Sequence, residues 1–156
     1  MATNSPLRFP TKQQAIIWLR RRQSVAPSKI ALDMGVTRPF VSKATRTAEK
    51  RIERLILHAA SVNRIGIEKI SASHGFALGF CPAYGSETYI TFSPRFGVQV
   101  WYNHVGHCGT CEESSKCRAV LSDLAADWQI PFPETMPPTE IAAGLFNTIM
   151  RRLRWR

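Results

Sequence analysis

Between Pro27 and Arg46 the chain has little freedom in what it can fold into. Pro27 suits a first helical turn, where its missing N–H costs nothing, and Ile30, Ala31 and Met34 recur at helical spacing. Gly35 can adopt the left-handed conformation that ends a helix within one residue, and Thr37 can cap the helix that follows. Small Ala31 stands where two helices must approach closely, with Val36, Val41 and Ala44 facing inward. Two crossed helices joined by a tight turn need this spacing. Upstream, Thr11 predicts the start of a helix from Lys12 to about Gln23, with Ala15, Ile16, Trp18 and Leu19 as its apolar face and Arg20, Arg21 and Arg22 as a basic end.

Charge divides the 156-residue chain at the end of this region. Residues 1–64 hold 13 Lys/Arg against 3 Asp/Glu, and residues 65–156 hold 8 of each, so the whole net charge of +10 lies in the first part. Such an excess favours a polyanionic partner there. We therefore divide the chain into a helix-turn-helix domain with a long linking helix (1–64) and an α+β domain (65–156). With 44% hydrophobic and 21% charged residues the composition is that of a soluble globular protein. No apolar run nears the roughly 20 residues of a membrane helix, and MATNSPLRFP lacks the order of an export signal.

The stretch TKQQAIIWLRRRQSVAPSKIALDMGVTRPFVSKATRTAEKRI resembles the helix-turn-helix of LuxR-type and sigma-factor region 4 domains, and most of all the archaeal Tfx-type transcription regulators. Its most specific part is I-A-x-x-x-G-V-T-R-x-x-V-S, Ile30 to Ser42; Pro39 and Phe40 depart from the pattern within the first turn of the recognition helix. The resemblance covers about the first 60 residues and implies binding to double-stranded DNA in an archaeal cytoplasm. In such motifs the start of the recognition helix enters the major groove. Arg38, Ser42, Lys43 and Arg46 are the candidates for base contacts, with Arg38 or Lys43 donating to guanine O6 and N7. Arg22, Lys29 and Thr37 are the candidates for holding phosphates.

Past Arg46 the helical pattern continues through Ala48, Ile52, Leu55, Ala59 and Val62, which with Val41 and Ala44 make a heptad-like seam. A helix from Thr37 to about Asn63 would be roughly 40 Å long. Either a partner subunit covers that seam, giving a homodimer and a palindromic operator, or the chain packs against itself. We expect the homodimer.

From Ile67 to Tyr102 short apolar runs separated by Gly75, Gly79, Pro82, Gly85, Pro94 and Gly97 predict three or four antiparallel strands. The alternation Phe76-x-Leu78-x-Phe80 implies one face packed on helices. Next comes H104-V-G-H107-C108-G-T-C111-E-E-S-S-K-C117, which holds three of the four cysteines within ten residues. A C-x2-C pair lets two thiolates reach one ion from a tight turn, with Gly109 leaving room, and Cys117 returns from the following helix. We expect a Cys/His knuckle in which His104, Cys108, Cys111 and Cys117 hold Zn2+, with His107 or Cys81 as the alternative fourth ligand. A 4Fe-4S cluster, a Cys108–Cys111 dithiol switch and inert thiols are the other readings. Disulfides are disfavoured inside a cell.

Two more helices are expected. One buries Val120, Leu121, Leu124, Ala125 and Trp128; after PFPETMPP the other buries Ile141, Ala142, Leu145, Phe146, Ile149 and Leu153 and ends in Arg151, Arg152, Arg154 and Arg156. The fold class is α+β. The function expected is a sequence-specific transcription regulator, not an enzyme, whose metal site is structural or senses metal or redox state. Two alternatives stand beside it. One is a metal-dependent nucleic-acid-processing enzyme, for which Glu112 and Glu113 are the only carboxylates close to the cysteines in sequence; the other is an adaptor that contacts the transcription machinery.

Overall fold

The structure is a computed structural model that describes residues 7–103 and 107–156. The chain forms two compact units, Met1–Trp101 and Tyr102–Arg156. The charge boundary at residue 64 is the end of a helix, and the sheet that follows belongs with the N-terminal helices.

The first unit opens with α1 (Lys12–Arg22), α2 (Pro27–Met34) and α3 (Arg38–Val62). Local chemistry sets their ends. Thr11 and Gln14 form a capping box: the Thr11 hydroxyl accepts from the Gln14 backbone N–H at 3.2 Å, and the Thr11 N–H donates to the Gln14 side-chain Oε1 at 3.0 Å. Gly35 ends α2 at φ +64°, where an L side chain would be strained, and the Thr37 hydroxyl accepts from the Phe40 N–H to start α3. Pro39 sits in the first turn, where its missing N–H breaks no bond. Ile17, Ile30, Ala31, Val41 and Ala44 form a small core, with Val25, Met34 and Val36 against it. Ile17 is fully buried while Ile16 is 40% exposed, so the apolar face of α1 is turned by one residue from the expected one.

The long seam of α3 is covered from within the chain. Val41, Ala44, Ala48, Ile52, Leu55, Ile56 and Ala60 are all buried as α3 packs on α1, α2 and two strands of its own unit. Ala59 is only half-buried and Val62 is 63% exposed. A straight helix turns 3.6 residues per turn, so a strict 3.5 repeat drifts, and the buried stripe moves to Ile56 and Ala60. Five of the seven residues of the expected seam, Val41, Ala44, Ala48, Ile52 and Leu55, are therefore covered within the chain, and Ala59 and Val62 are not.

Strands β1 (Gly66–Ser71), β2 (Phe76–Cys81), β3 (Ser86–Ser93) and β4 (Gly97–Tyr102) form an antiparallel sheet in sequential order. The first two connections end on glycines at positive φ, Gly75 and Gly85, and a third, Gly97, opens β4. In β2–β3 pairing Phe76, Leu78 and Phe80 stand opposite Thr91, Tyr89 and Glu87, and Ala77 stands opposite Ile90. Ile90 and Phe92 lie on the other face from the Phe76 alternation. That second face meets the helices, since the Phe92 ring lies 5.5 Å from Trp18 of α1, edge to face. One face of the sheet thus meets the helices, but it is the face of Ile90 and Phe92 and not that of Phe76, and β3 is buried without a break from Thr88 to Ser93. Two of its buried hydroxyls accept hydrogen bonds, Thr91 from the Trp101 indole at 2.9 Å and Ser93 from the Phe96 N–H at 3.1 Å, whereas the buried hydroxyl of Ser86 at the start of the strand has no partner among the described residues.

The second unit is built on α4 (Ser114–Asp127) and α5 (Pro138–Arg152). Val120, Leu121, Leu124, Ala125 and Trp128 are buried, as are Ile141, Leu145, Phe146, Ile149 and Met150. Ala142 and Leu153 are only half-buried, and Met150 takes a place in the stripe that periodicity did not assign to it. Arg118 fastens the intervening segment by donating to the carbonyls of Glu134 at 2.9 Å and Met136 at 3.0 Å. Arg152 donates to the Trp128 carbonyl, so one of the terminal arginines serves the fold.

Candidate nucleic-acid interface and cysteine turn

The seven basic and polar residues singled out in the first unit fall into three groups. Arg38, Lys43 and Arg46 are exposed at the start of α3, and Ser42 is half-buried beside them. On a helix surface Ser42, Lys43 and Arg46 share an arc of about 100°. Thr37 is exposed, but its hydroxyl is occupied by the cap. Lys29 is exposed and lies 3.5 Å from Asp33, which also accepts from Arg20 at 2.7 Å. The hydrogen bond from Arg20, with the charge of Lys29, holds the Asp33 carboxyl below the usual carboxylate range.

Arg22 is placed differently. Its Nη1 donates to the His74 carbonyl at 3.1 Å and its guanidinium lies 5.3 Å over the Trp18 ring. The side chain that sequence assigned to a phosphate thus helps to tie α1 to the β1–β2 turn. The Trp18 indole donates to the Ala72 carbonyl in the same turn at 3.1 Å. His74 Nδ1 lies 2.9 Å from the Ser71 hydroxyl, and burial, with the nearby positive charge of Arg22, pushes its pKa below the ordinary histidine value. This junction is absent from the sequence reading, because no spacing rule connects α1 to a turn more than 50 residues away.

Phe40 is another residue that periodicity passed over. It is 41% exposed in the first turn of α3, an apolar side chain beside charged ones.

In the second unit the cysteine segment forms a chain of turns. The Thr110 N–H donates to the His107 carbonyl at 3.1 Å, Cys111 to Cys108 at 3.4 Å, Ser114 to Cys111 at 3.2 Å and Cys117 to Glu113 at 2.9 Å. A turn from Cys108 to Cys111 is the backbone that a C-x2-C pair needs. Gly109 has no close neighbours and no positive φ, so the turn does not depend on its being glycine. Cys117, in the first turn of α4, has its thiol pKa raised by burial and by the neighbouring Cys111, Glu113 and Cys108. Among the described residues no three Cys, His, Asp or Glu side chains are gathered tightly enough to hold an ion.

The other ligand candidates fare as follows. His104 lies outside the described residues, and His107 is exposed. Cys81 is buried in β2 of the first unit, 1% exposed. Cys108 makes a weak contact to the Thr139 hydroxyl at 3.7 Å. The described cysteines alone do not complete a metal centre, and the knuckle expected from sequence is not formed by them. Glu113, a carboxylate weighed for catalysis, stands at the N-cap position of α4 without a side-chain capping hydrogen bond and lies 3.8 Å from Lys116.

No family model, no curated protein and no solved structure matches this chain. Among the described residues no helix is long and apolar enough to cross a membrane.

Proposed function

We propose that the protein is a sequence-specific, double-stranded-DNA-binding transcription regulator of the helix-turn-helix kind, without catalytic activity, which presents the start of α3 to the major groove. The observation that carries this reading is the exposure of Arg38, Lys43 and Arg46 on the first turns of a capped helix, over a core built with α1 and α2. The resemblance of Ile30–Ser42 to Tfx-type and LuxR-type motifs supports it, as does the confinement of the net charge to residues 1–64. Arg38 and Lys43 would donate to guanine edges, and Phe40 would meet a thymine methyl. Ser42 and Arg46 would face the groove beside them, and Lys29 would hold a phosphate. The reading is made for a single chain, since with the α3 seam covered from within a palindromic operator no longer follows from it.

Selection of duplexes from a randomised pool tests this. Wild-type protein should enrich one sequence, and Arg38→Ala and Lys43→Ala should each weaken binding to it by about 1–3 kcal/mol, roughly 5- to 150-fold. A pool that enriches nothing, or enrichment indifferent to both substitutions, would refute the assignment.

For the cysteine turn we propose Zn2+ held by Cys108, Cys111 and Cys117 with His104 as the fourth ligand, in a structural role. Its support is the turn from Cys108 to Cys111 and the place of Cys117 in the first turn of the helix that follows. When bound, the ion would add folding energy to the second unit. Metal analysis of protein purified without oxygen should give one zinc per chain and a colourless solution. Iron and a visible absorption band would replace zinc by an iron-sulfur cluster, and metal-free, folded protein would eliminate both.

A further inference from the structure

The exposed side of α3 carries more positive charge than a groove contact uses. Lys43, Arg46, Lys50 and Arg54 are all exposed and follow one another at steps of three, four and four residues. That spacing keeps them within about 80° of arc. The opposite side of the helix holds Val41, Ala48 and Ile52, all fully buried, so α1, α2 and the sheet leave the basic side uncovered. The two acidic residues of the helix, Glu49 and Glu53, each precede a stripe residue by one position and lie about 100° round from it.

Length decides what such a stripe can touch. From Arg38 to Arg46 is about 12 Å of helix axis, close to the about 12 Å width of the major groove. Lys50 and Arg54 lie about 18 and 24 Å from Arg38, beyond one groove width, on a helix of 25 unbroken residues. A straight helix seated in the groove by its first turns carries those residues past the groove edge, where the phosphates lie.

We propose that Lys50 and Arg54 form a phosphate-binding extension of the recognition helix, so that α3 engages the groove with its first turns and one rim of the duplex with its middle. The proposal rests on the DNA-binding reading above and adds two contacts to it. They are contacts of charge and not of sequence, so they carry affinity and salt dependence but no base preference.

The test is the salt dependence of binding of the full chain to a fluorescent 20-base-pair duplex of arbitrary sequence. Each phosphate contact contributes about 0.9 to the slope of log K against log salt. The pair Lys50→Ala with Arg54→Ala should lower the slope by about 1.8, and each of Lys50→Gln and Arg54→Gln by about 0.9. Thermal melting should be unchanged, because both side chains are exposed. Glu53→Ala should not lower the slope. Wild-type binding with an unchanged slope in the variants would overturn this inference and leave the groove reading standing. No binding by wild type at low salt would overturn both.

Discussion

Replacing Trp18 by alanine should cost the first unit about 3–5 kcal/mol, the usual result of removing a fully buried tryptophan. The residue is 1% exposed and serves three attachments at once: its ring meets Phe92 edge to face, its indole N–H donates to the Ala72 carbonyl, and Arg22 lies over it. The loss is comparable with the whole stability of many domains, which is about 5–15 kcal/mol. Trp18→Phe separates the causes. It keeps most of the packing and leaves the Ala72 carbonyl without its donor, at about 1–3 kcal/mol. Urea denaturation followed by far-ultraviolet circular dichroism measures both variants, and a loss below 1 kcal/mol in Trp18→Ala would mean that α1 does not depend on this contact. A coupled loss of DNA binding is expected, since α1 supports the core on which the start of α3 rests.

Gly75→Ala should be nearly as damaging, by about 2–5 kcal/mol, for two separate reasons. Its φ is +60°, where a Cβ costs about 1–2 kcal/mol. In addition, a Cβ would stand 2.9 Å from the Trp18 ring and 3.1 Å from the Phe92 carbonyl, and overpacking of this kind costs about 1–3 kcal/mol. Only the clash with the ring depends on Trp18. The double variant Trp18→Ala with Gly75→Ala should therefore lose less than the two single losses together, by at least about 0.5 kcal/mol. Strict additivity in that cycle would place the whole cost of Gly75→Ala in the backbone.

The caps at Thr11, Gly35 and Thr37, the three N-terminal helices, the strand count and the two C-terminal helices were all legible in the chain, because each rests on interactions spanning a few residues. The same holds for the turn from Cys108 to Cys111. Spacing went astray where a helix is long, since an error of a tenth of a residue per turn accumulates and carried Ala59 and Val62 out of the α3 seam. It also went astray at α1, where Ile16 and Ile17 are equally apolar and only the partner helices choose between them. The charge boundary marks the end of α3, because charge describes a surface, whereas Trp18 and Phe92, on either side of it in the chain, are buried against each other.

Arg22 draws the line most sharply. Its type, its place at the basic end of α1 and its neighbours all fit a phosphate contact, yet its guanidinium is engaged by His74 and Trp18. Local sequence determines helices, turns and caps because their hydrogen bonds close within four residues. Which face of α3 is buried, which arginines remain at the surface and whether three cysteines come together depend on segments dozens of residues apart, and only the folded chain brings those segments into contact.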